Sequence, residues 1–76
     1  MSLVLYHRIG DPDSAEVRRR VVELGVRSAI DFQNVDTEGA AAFAAHGGRN
    51  VPALWDGERL HEGRVAVLAV LETLPR

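Results

Sequence analysis

The chain predicts an α/β domain built on a mixed four-stranded sheet, and three local signals carry that expectation. Leu3-Val4-Leu5-Tyr6 is a short continuous apolar run, the mark of a strand covered on both faces. Asp11-Pro12-Asp13 opens a helix directly after it. Far downstream, Ala53-Leu54-Trp55 and Arg59-Leu60-His61 flank Asp56-Gly57, a dipeptide suited to a type I′ hairpin turn.

Each element follows from local chemistry. In the first helix Asp11 is the N-cap, Pro12 takes the first helical position, where its missing N–H is harmless, and Asp13 complements the positive helix end. Val17, Val21 and Leu24 share one face, Glu16/Arg20 and Arg19/Glu23 are i,i+4 pairs toward solvent, and Gly25 ends the helix. The Arg18-Arg19-Arg20 run reads as a solvated helix face, given these acidic partners. Ile30-Asp31-Phe32-Gln33 alternates as a second strand, with Ile30 and Phe32 inward, and the strand–helix–strand order predicts a right-handed parallel crossover. Asp36 or Thr37 is expected to cap an alanine-rich helix running through Ala45, which Gly47-Gly48 ends. Pro52 stands at the entrance of the hairpin, where a strand tolerates proline. The last helix runs from about Gly63 to Leu74. It is apolar at every position from Val65 to Leu71, a pattern expected of a helix covered on more than one side and hence of a partner or oligomer surface.

Composition bounds the function. The chain has 76 residues, one domain's worth, near the size at which folding buries only about 60% of the unfolded chain's surface. A net charge of -2 and the lack of a basic stripe with interleaved aromatics exclude a nucleic-acid binder. No apolar run approaches the ~20 residues that span a bilayer, and no basic leader precedes an apolar segment, so a cytoplasmic protein without a membrane partner is expected. There is no cysteine, which removes disulfides, Cys-type zinc sites and thiol redox chemistry together. His7, His46 and His61 match no metal-ligand spacing, so no metal is expected.

The sequence resembles the glutaredoxin branch of the thioredoxin fold over nearly its whole length. Its first half is similar to the spacing Tyr-x-Arg-x-x-Cys-Pro-x-Cys, met by Tyr6, Arg8, Asp11, Pro12 and Ser14. Its second half, Val51-Pro52-Ala53-Leu54, Asp56-Gly57 and Leu60-His61-Glu62-Gly63, resembles the N-terminal domain of glutathione transferases. The resemblance implies residues 1–76 as a single glutaredoxin-like domain of order βαβαββα, with two helices on one sheet face and one on the other. It further implies a cis Val51–Pro52 peptide bond and a degenerate redox motif, Asp11-Pro12-Asp13-Ser14, with Asp11 where the family's nucleophilic cysteine stands.

Carried over residue by residue, the resemblance implies a glutathione or peptide site of Arg8, Asn50, Val51, Pro52 and Glu62. Val51 would pair its backbone with the ligand, Glu62 would meet the γ-glutamyl amine, and Arg8 would lie near a carboxylate. The leading expectation is therefore a cysteine-less, non-redox module that binds glutathione, a peptide or a protein partner beside Pro52. A minimal glutathione transferase is the enzymatic alternative, since glutathione brings its own thiol. Ser14, His7 and Tyr6 are then the candidates to stabilise the thiolate, and Ser14 also reads as a residue that satisfies backbone N–H groups. A third reading is a structural or oligomerisation subunit that associates through the last helix.

Overall fold

A computed structural model describes residues 3–75. In chain order the elements are β1 (Leu3–His7), α1 (Pro12–Leu24), a single 3₁₀ turn (Arg27–Ala29), β2 (Ile30–Asn34), α2 (Ala40–Ala45), β3 (Ala53–Trp55), β4 (Leu60–Glu62) and α3 (Arg64–Leu71). The strands form one sheet in the order β2-β1-β3-β4. β1 runs parallel to β2, with Leu5 beside Phe32, and antiparallel to β3, with Leu5 beside Leu54. The fold is therefore α/β with a four-stranded mixed sheet and three helices.

Alternation along β1 and β3 divides the core in two. Leu3, Leu5, Ile30 and Leu54 meet Val17, Val21 and Leu24 of α1 and Val67 and Leu71 of α3. Tyr6, Ala53 and Val35 point the other way and meet Phe43 of α2, with Val4, Val51, Trp55 and Leu60 packed around them. Leu5, Leu54, Val17, Val21, Val67 and Leu71 are all fully buried. Each such side chain removed from water contributes roughly 1.5–3 kcal/mol, so this first cluster supplies most of the hydrophobic stability of a domain without staples.

The signals at α1 act as read. Asp11 lies in extended backbone, its carboxylate accepts from the Ser14 N–H at 2.8 Å, and Pro12 follows. At the other end Gly25 takes the left-handed conformation (φ 72°), and the Val26 N–H reaches back to the Val21 carbonyl at 3.2 Å. That pattern satisfies carbonyls the last turn leaves open, and glycine adopts it without a Cβ penalty.

Five expectations are corrected. The i,i+4 ion pairs of α1 do not form. Arg20 reaches Glu72 at 2.7 Å and Glu23 at 3.5 Å, while Glu16 pairs with Arg64 at 3.3 Å, because α3 packs alongside and offers nearer partners. Neither Asp36 nor Thr37 caps α2, whose N-cap is Gly39 with no side-chain cap. The Asp36 carboxylate is held by Arg8, and the Glu38 carboxylate instead accepts from the Asn34 N–H.

The hairpin strand is Leu60–Glu62, one residue later than expected, with Trp55 opposite Leu60 and Ala53 opposite Glu62. A type I′ turn is excluded, since it needs positive φ at both central residues and Gly57 (φ 102°) alone has it. Finally, α3 ends at Leu71 and is buried on one side only. Val67 and Leu71 face the sheet, whereas Val65 is 74% exposed and Ala69 is also exposed.

The turn is organised by Asp56. One carboxylate oxygen accepts from the Glu58 and Arg59 N–H groups at 2.8 Å each, and the other meets His61 Nε2 at 2.8 Å. The His61 hydrogen bond, then those backbone donors, pull the Asp56 pKa down from 3.8 to about 2. A carboxyl depressed by folding stabilises the native state above its unfolded value, and that contribution fades as pH falls through the folded one. Asp56→Asn is therefore expected to melt below the parent at pH 5–6, and the gap between the two melting temperatures should close by about pH 2. A gap that stays constant with pH would contradict an ionised anchor.

Candidate functional site

The carboxyl end of β1, the start of α1 and the segment entering β3 meet at one end of the sheet. Tyr6 is paired with Ala53, the first residue of β3, so His7 and Arg8 leave the sheet at the end where Val51 and Pro52 enter it. The Val51–Pro52 peptide is cis. Two hydrogen-bonding groups clamp this segment. The Gly63 N–H donates to the Pro52 carbonyl at 2.8 Å, tying it to the start of α3. One oxygen of Glu62 accepts from the Arg49 N–H at 2.7 Å and the Asn50 N–H at 2.8 Å. These two donors, in that order, hold the Glu62 carboxyl below the usual carboxylate range, so it stays ionised at neutral pH. Between the clamps, the Val51 N–H and C=O make no hydrogen bond among the described residues. A half-buried backbone with an open donor and acceptor is an edge onto which an extended chain can pair.

The start of α1 is already satisfied. The Ser14 N–H is capped by Asp11, and the fully buried Ser14 hydroxyl accepts from the Arg8 N–H at 3.2 Å. Asp13 is exposed and lies 3.8 Å from Arg64. A carboxylate of the chain itself therefore occupies the positive end of α1.

The remaining candidates separate. Arg8 is turned onto Asp36, its Nε donating to both carboxylate oxygens at 3.1 and 3.2 Å. Both side chains are more than half exposed, and such a pair contributes roughly 0–1 kcal/mol, so a ligand carboxylate could displace Asp36. Tyr6 is 2% exposed and lies on the α2 side of the sheet, 5.4 Å from the Phe43 ring, away from the α1 start. Burial raises its pKa, and Asp31 adds to the effect.

His7 is buried beside Phe32, and Arg18 approaches its Nδ1 at 2.9 Å. A guanidinium can only donate, so Nδ1 accepts and the ring hydrogen sits on Nε2. Burial first, then Arg18, lowers the His7 pKa, which leaves a neutral imidazole near pH 7. Ser14, His7 and Tyr6 thus do not converge on Val51 as a set.

Arg18 is a residue that sequence reasoning missed. It leaves the solvated face assigned to the arginine run and also donates to the Arg8 and Ile9 carbonyls at 3.3 and 3.5 Å, bracing the β1–α1 turn. The available signal was its place one turn after Ser14, on the side of α1 that carries Val21. His46 is a second such residue, stacked on Trp55 across the α2 face.

No family model matches this chain, and no curated protein does.

The polar groups gathered at this end are the Val51 backbone, the carboxylates of Asp11, Asp13, Asp36 and Glu62, the arginines Arg8 and Arg18, and His7. Among the described residues no cluster of His, Asp and Glu could hold a metal ion. His61 is engaged by Asp56 in the distant hairpin turn. Two recesses of about 330 Å³ each lie elsewhere. One is the charged seam of α1 and α3 over Leu68, and the other is an apolar hollow lined by Leu3, Val26, Ala29, Leu74 and Pro75. Neither recess includes Val51.

Proposed function

We propose that this chain is a cytoplasmic, non-redox module of the glutaredoxin-type thioredoxin fold that binds glutathione, a peptide or a segment of a protein partner along Val51. The carrying observation is the unpaired Val51 N–H and C=O, held rigid between the Glu62 clamp and the Gly63 N–H. Asn50 and Arg49 flank this edge, and Arg8 is available once Asp36 is displaced. A transferase activity is disfavoured by the same geometry, because Ser14 is sealed, Tyr6 faces α2, and the α1 start is already capped by a carboxylate.

Isothermal titration tests the reading. Glutathione or an end-blocked tripeptide should give saturable heat at millimolar concentration. Glu62→Ala frees the Arg49 and Asn50 backbone, and re-ordering a residue costs about 1–2 kcal/mol, so affinity should fall about fivefold or more. A chromophoric electrophile with glutathione should turn over at the background rate. Absence of heat with both ligands would end the proposal.

A further inference from the structure

The chain treats the two edges of its sheet differently. Backbone groups of successive strand residues point to opposite sides, so the bonds made inward identify the groups that face out. In β2 the Val35 N–H donates inward to the His7 carbonyl at 3.0 Å, which turns the groups of Ile30, Phe32 and Asn34 to the edge. That edge is guarded. The Arg27 guanidinium donates to the Ile30 carbonyl at 2.9 Å, and the Glu38 carboxylate accepts from the Asn34 N–H. The Thr37 and Gly39 N–H groups cover the Asn34 carbonyl at 3.1 and 2.8 Å. At the opposite edge the Gly63 N–H donates inward to the Pro52 carbonyl at 2.8 Å, and the Arg59 carbonyl accepts from the Asp56 N–H at 3.2 Å. Leu60 and Glu62 of β4 therefore turn their backbone groups outward. Among the described residues these N–H and C=O groups have no partner.

We propose that the β4 edge seats a second copy of this chain, paired antiparallel about a two-fold axis at His61 so that the two sheets become one. A two-fold contact needs a patch that complements itself, and this edge is one. Leu60 stands opposite Glu62 of the second copy, and each such pair exchanges both of its N–H···O=C bonds. Glu58 and Arg64 lie three residues to either side of His61 and carry opposite charges. Antiparallel pairing brings Glu58 of each copy toward Arg64 of the other, whereas parallel pairing would set like charge against like. Leu60 packs with Trp55 on the α2 side of the sheet and carries that apolar surface to the axis. β4 has only three residues, so the association is weak, with a dissociation constant of roughly 10 μM to 1 mM. It uses the backbone of Glu62 and leaves the carboxylate on Arg49 and Asn50. The contact thus stands whether or not Val51 binds a ligand.

Sedimentation equilibrium tests the pairing. The weight-average mass should rise above the 8.3 kDa of the single chain as concentration approaches about 1 mM. Over that range the Leu60 and Glu62 amides should exchange more slowly, while the Phe32 amide stays unchanged. Leu60→Pro removes an outward N–H, which an edge strand tolerates, and should keep the chain monomeric. Glu58→Arg and Arg64→Glu each turn attraction into repulsion and should weaken self-association about tenfold. Mixed in equal amounts, these two variants should pair again with near-parental affinity, since each supplies the charge the other lacks. That recovery is read whatever Leu60→Pro does to folding. A parent chain that stays at 8.3 kDa would overturn the proposal. So would a dimer that Leu60→Pro leaves intact, which would put the contact elsewhere, such as the exposed face of α3. A mixture of the two charge variants that associates no better than either alone would do the same.

Discussion

Replacing Leu54 with alanine is expected to remove a large part of the domain's stability. Leu54 is fully buried at the centre of the sheet, opposite Leu5 and beneath α1 and α3. Nothing small can move in to fill the gap, since its neighbours sit on three different elements. Buried leucine-to-alanine changes cost about 2–5 kcal/mol. At roughly 0.05–0.15 kcal/mol per residue, a chain this short has only about 4–11 kcal/mol in total. The urea midpoint should drop by a third or more with the slope of unfolding unchanged. Leu68→Ala is the internal comparison, because Leu68 is only half-buried, on the α1–α3 seam. A smaller midpoint shift for Leu54→Ala than for Leu68→Ala would refute this division of the core.

Ser14→Ala carries the second large effect, and it separates two views of the same hydroxyl. Ser14 is fully buried and accepts the Arg8 N–H at 3.2 Å where β1 turns into α1. Without the oxygen that N–H loses its partner, at a cost of about 1–3 kcal/mol. Amide exchange at Arg8 should accelerate, and the melting temperature should fall. Asp11→Asn is expected to be milder, as asparagine caps nearly as well as aspartate. Ligand affinity should drop only as far as the turn loosens. Unchanged stability together with abolished binding would mean that the hydroxyl touches ligand, contrary to its burial.

Much of the architecture was legible because it rests on short-range chemistry. Asp11, Pro12 and Gly25 bound α1 by rules that operate within one helical turn, and the alternation of β1 and β3 side chains between the two core clusters follows from the pleat. The failures share a different cause. Asp36 is a sound local cap, yet Arg8, 28 residues earlier, holds its carboxylate. Glu16 and Arg20 match a solvent pair, yet α3 brings Arg64 and Glu72 within reach of them. Residues distant in sequence outcompeted near ones because packing had already set their separation.

The candidate site divides along the same line. The chain's own letters settle that sulfur chemistry is absent, that a carboxylate occupies the α1 start and that proline introduces β3, since composition and capping need no third dimension. They leave undetermined that one Glu62 oxygen holds two N–H groups 12 and 13 residues away, that Val51 is left open, or that Arg18 immobilises His7. Those facts exist only after β4 pairs with β3 and α1 lies across β1, because long-range hydrogen bonds are chosen by which backbones the core has brought together.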